Sequence, residues 1–208
     1  NPDLWNQFRG PNGSGIRKDA GIGVPSLENV LWKTPLPFGL SCPVLSDDKL
    51  FLTGLEEGRL VTLALDRKSG KILWKKKAPE TELEKFHESS SPATPTPFVD
   101  QDRLFVYFGS FGLLCYDHEG KEIWKKRIPS PKSLYGTSSS PISHEDLLIL
   151  VADDDANLPN SRVSRSRILA LRKKDGSTVW ERPRPFHRSG WSTPTIWEHP
   201  EGKELVVL

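Results

Sequence analysis

The stretch Ala64-Leu65-Asp66-Arg67-Lys68-Ser69-Gly70-Lys71-Ile72-Leu73-Trp74-Lys75 decides how this chain is read. Leu60–Asp66 alternates apolar and polar in part, as a half-buried strand does. Lys68-Ser69-Gly70 supplies the positive-φ position of a hairpin, and Lys71–Lys77 returns along it. The phrase recurs as Cys115-Tyr116-Asp117-His118-Glu119-Gly120-Lys121-Glu122-Ile123-Trp124-Lys125. It recurs again as Ala170-Leu171-Arg172-Lys173-Lys174-Asp175-Gly176-Ser177-Thr178-Val179-Trp180-Glu181. The Trp end alone stands near the start, in Val30-Leu31-Trp32-Lys33. The anchors Trp32, Trp74, Trp124 and Trp180 lie 42, 50 and 56 residues apart.

A second phrase keeps step with the first. Cys42-Pro43-Val44-Leu45, Thr96-Pro97-Phe98-Val99 and Ser140-Pro141-Ile142-Ser143 each precede an acidic turn and an apolar run, and Thr193-Pro194-Thr195-Ile196 opens another copy. Each unit reads as four short strands, and no segment shows an apolar stripe at helical spacing. Thr81–His87 is the one stretch expected to form a helical turn. Four-stranded units repeating at this period are the blades of a β-propeller. A lone four-stranded sheet cannot bury both faces, so neighbouring blades must stack. The class is all-β, built of four-stranded antiparallel blades. Trp74, Trp124 and Trp180 are expected on the last strand of each blade, largely buried as packing anchors. Gly70, Gly120 and Gly176 are expected in the tight turns before those strands.

The composition removes several other classes. Hydrophobic residues make up 36% and charged residues 27% of the 208, a globular balance. The longest apolar runs are too short to span a bilayer as a helix. A net charge of +2 gives no global field for nucleic acid or an anionic membrane. Two Cys rule out a disulfide-stapled miniprotein. The chain has no Met, so it is expected to be processed or part of a longer protein, with a signal peptide removed before Asn1.

Ala64–Trp74 fits the pattern Ala-Leu-Asp-x-x-x-Gly-x-x-x-Trp in full, with neither a Trp-Asp pair nor a Gly-Gly pair in the chain. On these residues it resembles the pyrroloquinoline-quinone-like (PQQ-like) propeller repeat family. That family includes quinoprotein dehydrogenases, the lipoprotein scaffold of the bacterial outer-membrane assembly complex, and secreted bacterial proteins. The opening Trp5-Asn6-Gln7-Phe8-Arg9-Gly10-Pro11-Asn12-Gly13 is similar to the start of the last group. The resemblance implies a periplasmic or secreted location, and an eight-bladed propeller of which this chain is about half. Arg172 stands in place of the repeat Asp, and Cys115-Tyr116 in place of Ala-Leu.

For the dehydrogenases the resemblance implies a quinone beside an adjacent Cys-Cys pair and a calcium held by acidic and amide side chains. Cys42 and Cys115 are 73 positions apart in different units, so they read as free thiols or as a bridge between neighbouring blades. No motif singles out a catalytic carboxylate, and the five His show no metal-ligand spacing. No cofactor is therefore expected, with PQQ and calcium as the alternative. The segment Asp153–Arg167 is an insertion within the third unit. Asp153, Asp154 and Asp155 are candidate calcium ligands, and Arg162, Arg165 and Arg167 a candidate anion or partner contact. The competing reading of both is a solvated loop whose charges offset each other.

Residues 1–29 read as an N-terminal extension and 30–208 as propeller. Within it, 30–36 is an orphan outer strand, 41–79, 89–129 and 138–183 are blades, the third holding the 153–167 insertion, and 191–208 is a partial blade. Uncovered sheet faces at both ends call for further chain or a second copy to close the ring. The function expected is a non-catalytic scaffold that binds a protein or a small ligand. The alternatives are a quinone-dependent dehydrogenase and a carbohydrate-binding or sensor propeller of a larger secreted enzyme.

Overall fold

The protein is described by a computed structural model over residues 4–16, 27–156 and 163–208. The first sheet contains β1 (Val44–Leu45), β2 (Lys49–Glu56), β3 (Arg59–Asp66) and β4 (Ile72–Lys77). The second contains β5 (Phe98–Val99), β6 (Arg103–Phe108), β7 (Gly112–Asp117) and β8 (Glu122–Arg127). The third contains β9 (Ile142–His144), β10 (Leu147–Ala152), β11 (Arg167–Arg172) and β12 (Thr178–Pro183). Two strands follow, β13 (Thr195–His199) and β14 (Gly202–Val206). Every neighbouring pair is antiparallel and every sheet follows chain order, so each four-stranded sheet is one propeller blade.

The middle strands read as continuous apolar runs because both of their faces are covered. Along β6, Leu104, Val106 and Phe108 join a core with Phe51, Leu60 and Ala64 of the first blade. The intervening Phe105 and Tyr107 join Leu148, Leu150 and Leu171 of the third. Side chains alternate at period two, so a one-residue slip would exchange the two cores. A smaller cluster of Ile149, Ala170, Ile196 and Leu205 joins the third blade to the last pair of strands.

Two ladders of polar contacts tie blade to blade, and each rests on one recurring phrase. At the outer edge, the indole N–H of Trp32 donates to the carbonyl of Arg67 at 3.2 Å, that of Trp74 to His118 at 2.9 Å, and that of Trp124 to Lys173 at 2.9 Å. Each ring lies over the glycine of the next turn, and Gly70, Gly120 and Gly176 have φ of 70°, 81° and 72°. A Cβ at Gly120 would come within 2.9 Å of the Trp74 ring. Glycine is thus needed twice over, for its left-handed backbone and for the ring above it. At the inner edge, the N–H of Cys42 donates to Thr96 Oγ1, that of Thr96 to Ser140 Oγ, and that of Ser140 to Thr193 Oγ1, at 2.9, 2.9 and 3.0 Å. The residue before each recurring proline therefore hands one hydrogen bond to the next blade.

Within a blade, each Trp pairs across the sheet with a small residue, Trp74 with Ala64, Trp124 with Cys115 and Trp180 with Ala170. Cysteine is small enough for that position, which accounts for Cys115 in place of alanine.

Three expectations change. Trp74, Trp124 and Trp180 are half-buried rather than largely buried, because they sit on exposed edge strands with one side towards the next blade. Residues 30–36 carry no strand pairing. They run extended along the first blade, held by Trp32 and by the Thr34 hydroxyl donating to the Gly70 carbonyl at 2.7 Å. Thr81–His87 forms no helical turn. Its groups are taken by the next blade instead, with Thr81 Oγ1 donating to the Ser110 carbonyl and the Glu84 N–H to Ser110 Oγ. The N-terminal residues pin the inner strands, since the carbonyls of Trp5 and Asn6 accept from the N–H groups of Leu45 and Val99. Asn12 reaches Ile196, donating from Nδ2 at 2.8 Å.

Candidate functional site on the linker face

One end of the blades gathers the longer connections. These are the linkers between blades (78–97, 128–141 and 184–194) and the connection that leaves β10 at Ala152 and enters β11 at Arg167. The opposite end has only short turns. Loops of this kind on a rigid sheet frame are where binding and catalytic groups concentrate.

Glu84 lies in the first of these linkers. It is 6% exposed, and its Oε2 accepts from Thr137 Oγ1 at 2.7 Å. Its Oε1 is buried without a hydrogen-bond partner. Gly109 makes room for this arrangement, because a Cβ there would press on Thr137 and on Glu84 Oε1. Burial raises the Glu84 carboxyl to about 7 despite the Thr137 hydrogen bond. Next to it, the hydroxyl of Tyr107 is buried and unpartnered, with its ionisation pushed far upward by burial. A cleft of about 490 Å³ opens beside Glu84, lined among others by Lys85, Ser110, Arg127 and Lys132. A notch of about 20 Å³ lies on the Tyr107 side, bordered by Thr137, Asp153, Ser189 and Trp191. That is room for about one water.

Above the notch the linkers present aromatic rings. His87 and Tyr135 are 5.1 Å apart, and Tyr135 meets Trp191 edge to face at 5.2 Å. The three rings come from three successive linkers. Trp191 has a φ of 45°, a conformation non-glycine residues seldom adopt, and its indole N–H is fixed to the Gly136 carbonyl at 3.0 Å. Tyr135 is 40% exposed and Trp191 42%, with Leu134 and Phe86 exposed beside them.

The acidic half of the insertion is turned onto the protein. Asp153 pairs with Arg184 at 2.9 Å, both side chains being 8% exposed, and burial raises its carboxyl from the ordinary range. Asp154 pairs with Arg165 at 2.8 Å, and Asp155 Oδ1 accepts from the Ser189 N–H at 3.0 Å. The three carboxylates are thus divided among separate partners. Arg167 Nε faces Glu181 at 3.6 Å, and Arg162 lies outside the described residues. Glu84, Tyr107, Tyr135 and Trp191 belong to no sequence phrase. For Glu84, Tyr135 and Trp191 the one available signal was their place in linkers between repeats; Tyr107, within β6, gave none.

Among the described residues the donor set for a quinone and its calcium is not assembled. Cys42 precedes β1, Cys115 lies within β7 of another blade, and both are free thiols, with burial raising Cys115 to about 12. No group of three His, Cys, Asp or Glu gathers in metal-binding proximity among the described residues. These residues do not fit the quinone and calcium site.

Comparison with known structures places the fold. Over 87% of its length the chain superposes on 32% of a europium-containing methanol dehydrogenase, with a TM-score of 0.61 and 15% identity. Over 86% it superposes on 27% of a quinohemoprotein alcohol dehydrogenase from Comamonas testosteroni, with a TM-score of 0.61 and 14% identity. It also matches BamB from Moraxella catarrhalis, covering 81% of this chain and 45% of that one, with a TM-score of 0.51 and 15% identity. The chain thus spans less than half the length of each of these three. At such identities the likeness concerns the β-propeller fold alone. No curated protein matches. Residues 26–198 match the family described as outer membrane protein assembly factor BamB, and the chain belongs to that PQQ-like repeat family.

Proposed function

We propose that this chain is a non-catalytic, extracytoplasmic propeller that binds a protein or small ligand through its linker face. The observation that carries this reading is the row of His87, Tyr135 and Trp191, assembled from three linkers and exposed beside Leu134 and Phe86. Single exposed apolar residues are ordinary, but a contiguous aromatic patch rimmed by polar groups marks an interaction site. The family's description, an assembly factor of the outer membrane, agrees with such a role. Among the described residues no helix is long and apolar enough to cross a membrane.

A quinone-dependent dehydrogenase is the second reading. In its favour is Glu84, a buried carboxyl raised to about 7 in a cleft, the environment of a general base. Two measurements separate the readings. A photo-crosslinking residue at position 135, in the native host, is expected to give discrete adducts that Trp191→Ala abolishes. Incubation with PQQ and calcium is expected to give neither a bound quinone absorbance nor dye reduction with alcohols. Turnover that disappears in Glu84→Gln would replace the first reading with the second.

A further inference from the structure

The charges of this chain balance in sequence but not in space. The three outer hairpins, residues 66–77, 117–127 and 172–183, hold 14 basic and 6 acidic side chains, a net +8 in a chain of net +2. The remainder is therefore net −6. Each hairpin ends in an outermost strand, β4, β8 or β12, so the fold collects the excess of cations on the rim.

The arrangement is also periodic. Two residues after the Trp of each outermost strand stands a cation: Lys76, Lys126 and Arg182. They occupy equivalent register positions, opposite Thr62, Leu113 and Ile168. At period two, Lys76 shares the face of Trp74 that meets the next blade. Its stem accordingly runs past Gly120, where a Cβ would come within 2.9 Å of Lys76 Cε. That sets the end of its side chain at the seam between blades. None of Lys76, Lys126 and Arg182 has an ion-pair partner among the described residues. Lys75 and Lys125, by contrast, are paired with Glu56 and Glu122. Lysines that merely guard an edge strand from pairing need only one position per edge. An unpaired cation at the same register on successive blades does more, since it repeats a positive site around a convex surface.

We propose that the rim binds a linear polyanion, an acidic polysaccharide bearing carboxylates, laid across the outer strands from blade to blade. A single small anion would meet only one seam, whereas a polymer meets several and releases counterions at each. Nucleic acid is the less suited polymer. Single-stranded nucleic acid binds by stacking its bases on aromatic rings, and here Trp74 and Trp124 are docked on the glycine turns of the next blade.

The test is retardation of the 208-residue chain in native gels containing polygalacturonate, at several salt concentrations, with a single-stranded oligonucleotide as the second polymer. Wild type is expected to bind polygalacturonate with a clear inverse dependence on salt. K76Q/K126Q/R182Q is expected to weaken binding by about tenfold and to lower the salt slope by roughly 0.7 per cation removed. R9Q/R59Q/K203Q, with the same change in net charge on other surfaces, is expected to stay within about twofold of wild type. The charge-keeping variant K76R/K126R/R182K is expected to bind like wild type, which separates charge from any loss of fold. No retardation of wild type, equal losses in both Gln variants, or tighter binding of the oligonucleotide would each overturn the proposal.

Discussion

Replacing Trp74 and Trp180 by alanine, one at a time, tests whether the repeated Trp stabilises by docking on the next blade. The two residues have the same place in their sheets, opposite Ala64 and Ala170, and both are half-buried. Of the two, Trp74 alone docks on a turn of the next blade among the described residues. Its N–H bond to the His118 carbonyl, at 2.9 Å, contributes about 1 kcal/mol. Its ring lies 6.0 Å from Phe51 and 6.2 Å from Tyr116, and such pairs add about 0.5–1.5 kcal/mol each. With the burial lost on truncation, Trp74→Ala is expected to cost about 3 kcal/mol, the lower end for large aromatics. Trp180 packs on the Ile149 and Ile196 cluster, but no indole acceptor is found among the described residues. Trp180→Ala is expected to cost about 1 kcal/mol of lost apolar burial. Urea unfolding followed by circular dichroism reads the difference. At about 2–3 kcal/mol/M, Trp74→Ala should lower the midpoint by about 1 M and Trp180→Ala by well under half of that. Trp74→Phe, which keeps a ring and loses the donor, should fall between them. Equal losses for the two alanine variants would refute the docking argument and leave only generic burial.

Glu84 makes stability depend on pH. Its folded value of about 7 lies above the ordinary 4.5, so the fold favours the protonated form. Its contribution is full below about 4.5 and is lost as pH rises through 7, by up to about 3 kcal/mol. Glu84→Gln should flatten the melting temperature across that window; a profile unchanged by the substitution would count against the buried carboxyl. Gly120→Ala should cost about 2–3 kcal/mol, because it adds a Cβ against Trp74 to a φ of 81°. Gly58→Ala, at a φ of 73° with nothing within 4 Å, should cost about 1 kcal/mol by the same denaturation assay. Thr96→Val removes the acceptor for the Cys42 N–H and should cost about 1–2 kcal/mol, with faster hydrogen exchange at Cys42 as the local sign.

What could be read from the sequence was whatever a few neighbouring residues settle between them. The left-handed hairpin glycines at 70, 120 and 176, the Trp four residues beyond each, and the strand order within a blade follow from turn chemistry and period-two alternation. Repetition made these local signals visible three times over. The Thr81–His87 expectation failed for the opposite reason, because Ser110, on another blade, supplies the partners a helical turn would have supplied internally. The half-burial of the Trp anchors likewise follows from which strand lies outermost. The candidate site was legible only as a set of irregular linkers. Glu84 meets Thr137 across 53 residues, and Asp153 meets Arg184 across 31. Desolvation and ion pairing act through space, so no local pattern in sequence reports them. The sorting of a nearly neutral composition into a basic rim has the same origin: the sequence supplies the cations, and blade stacking alone decides that they share one surface.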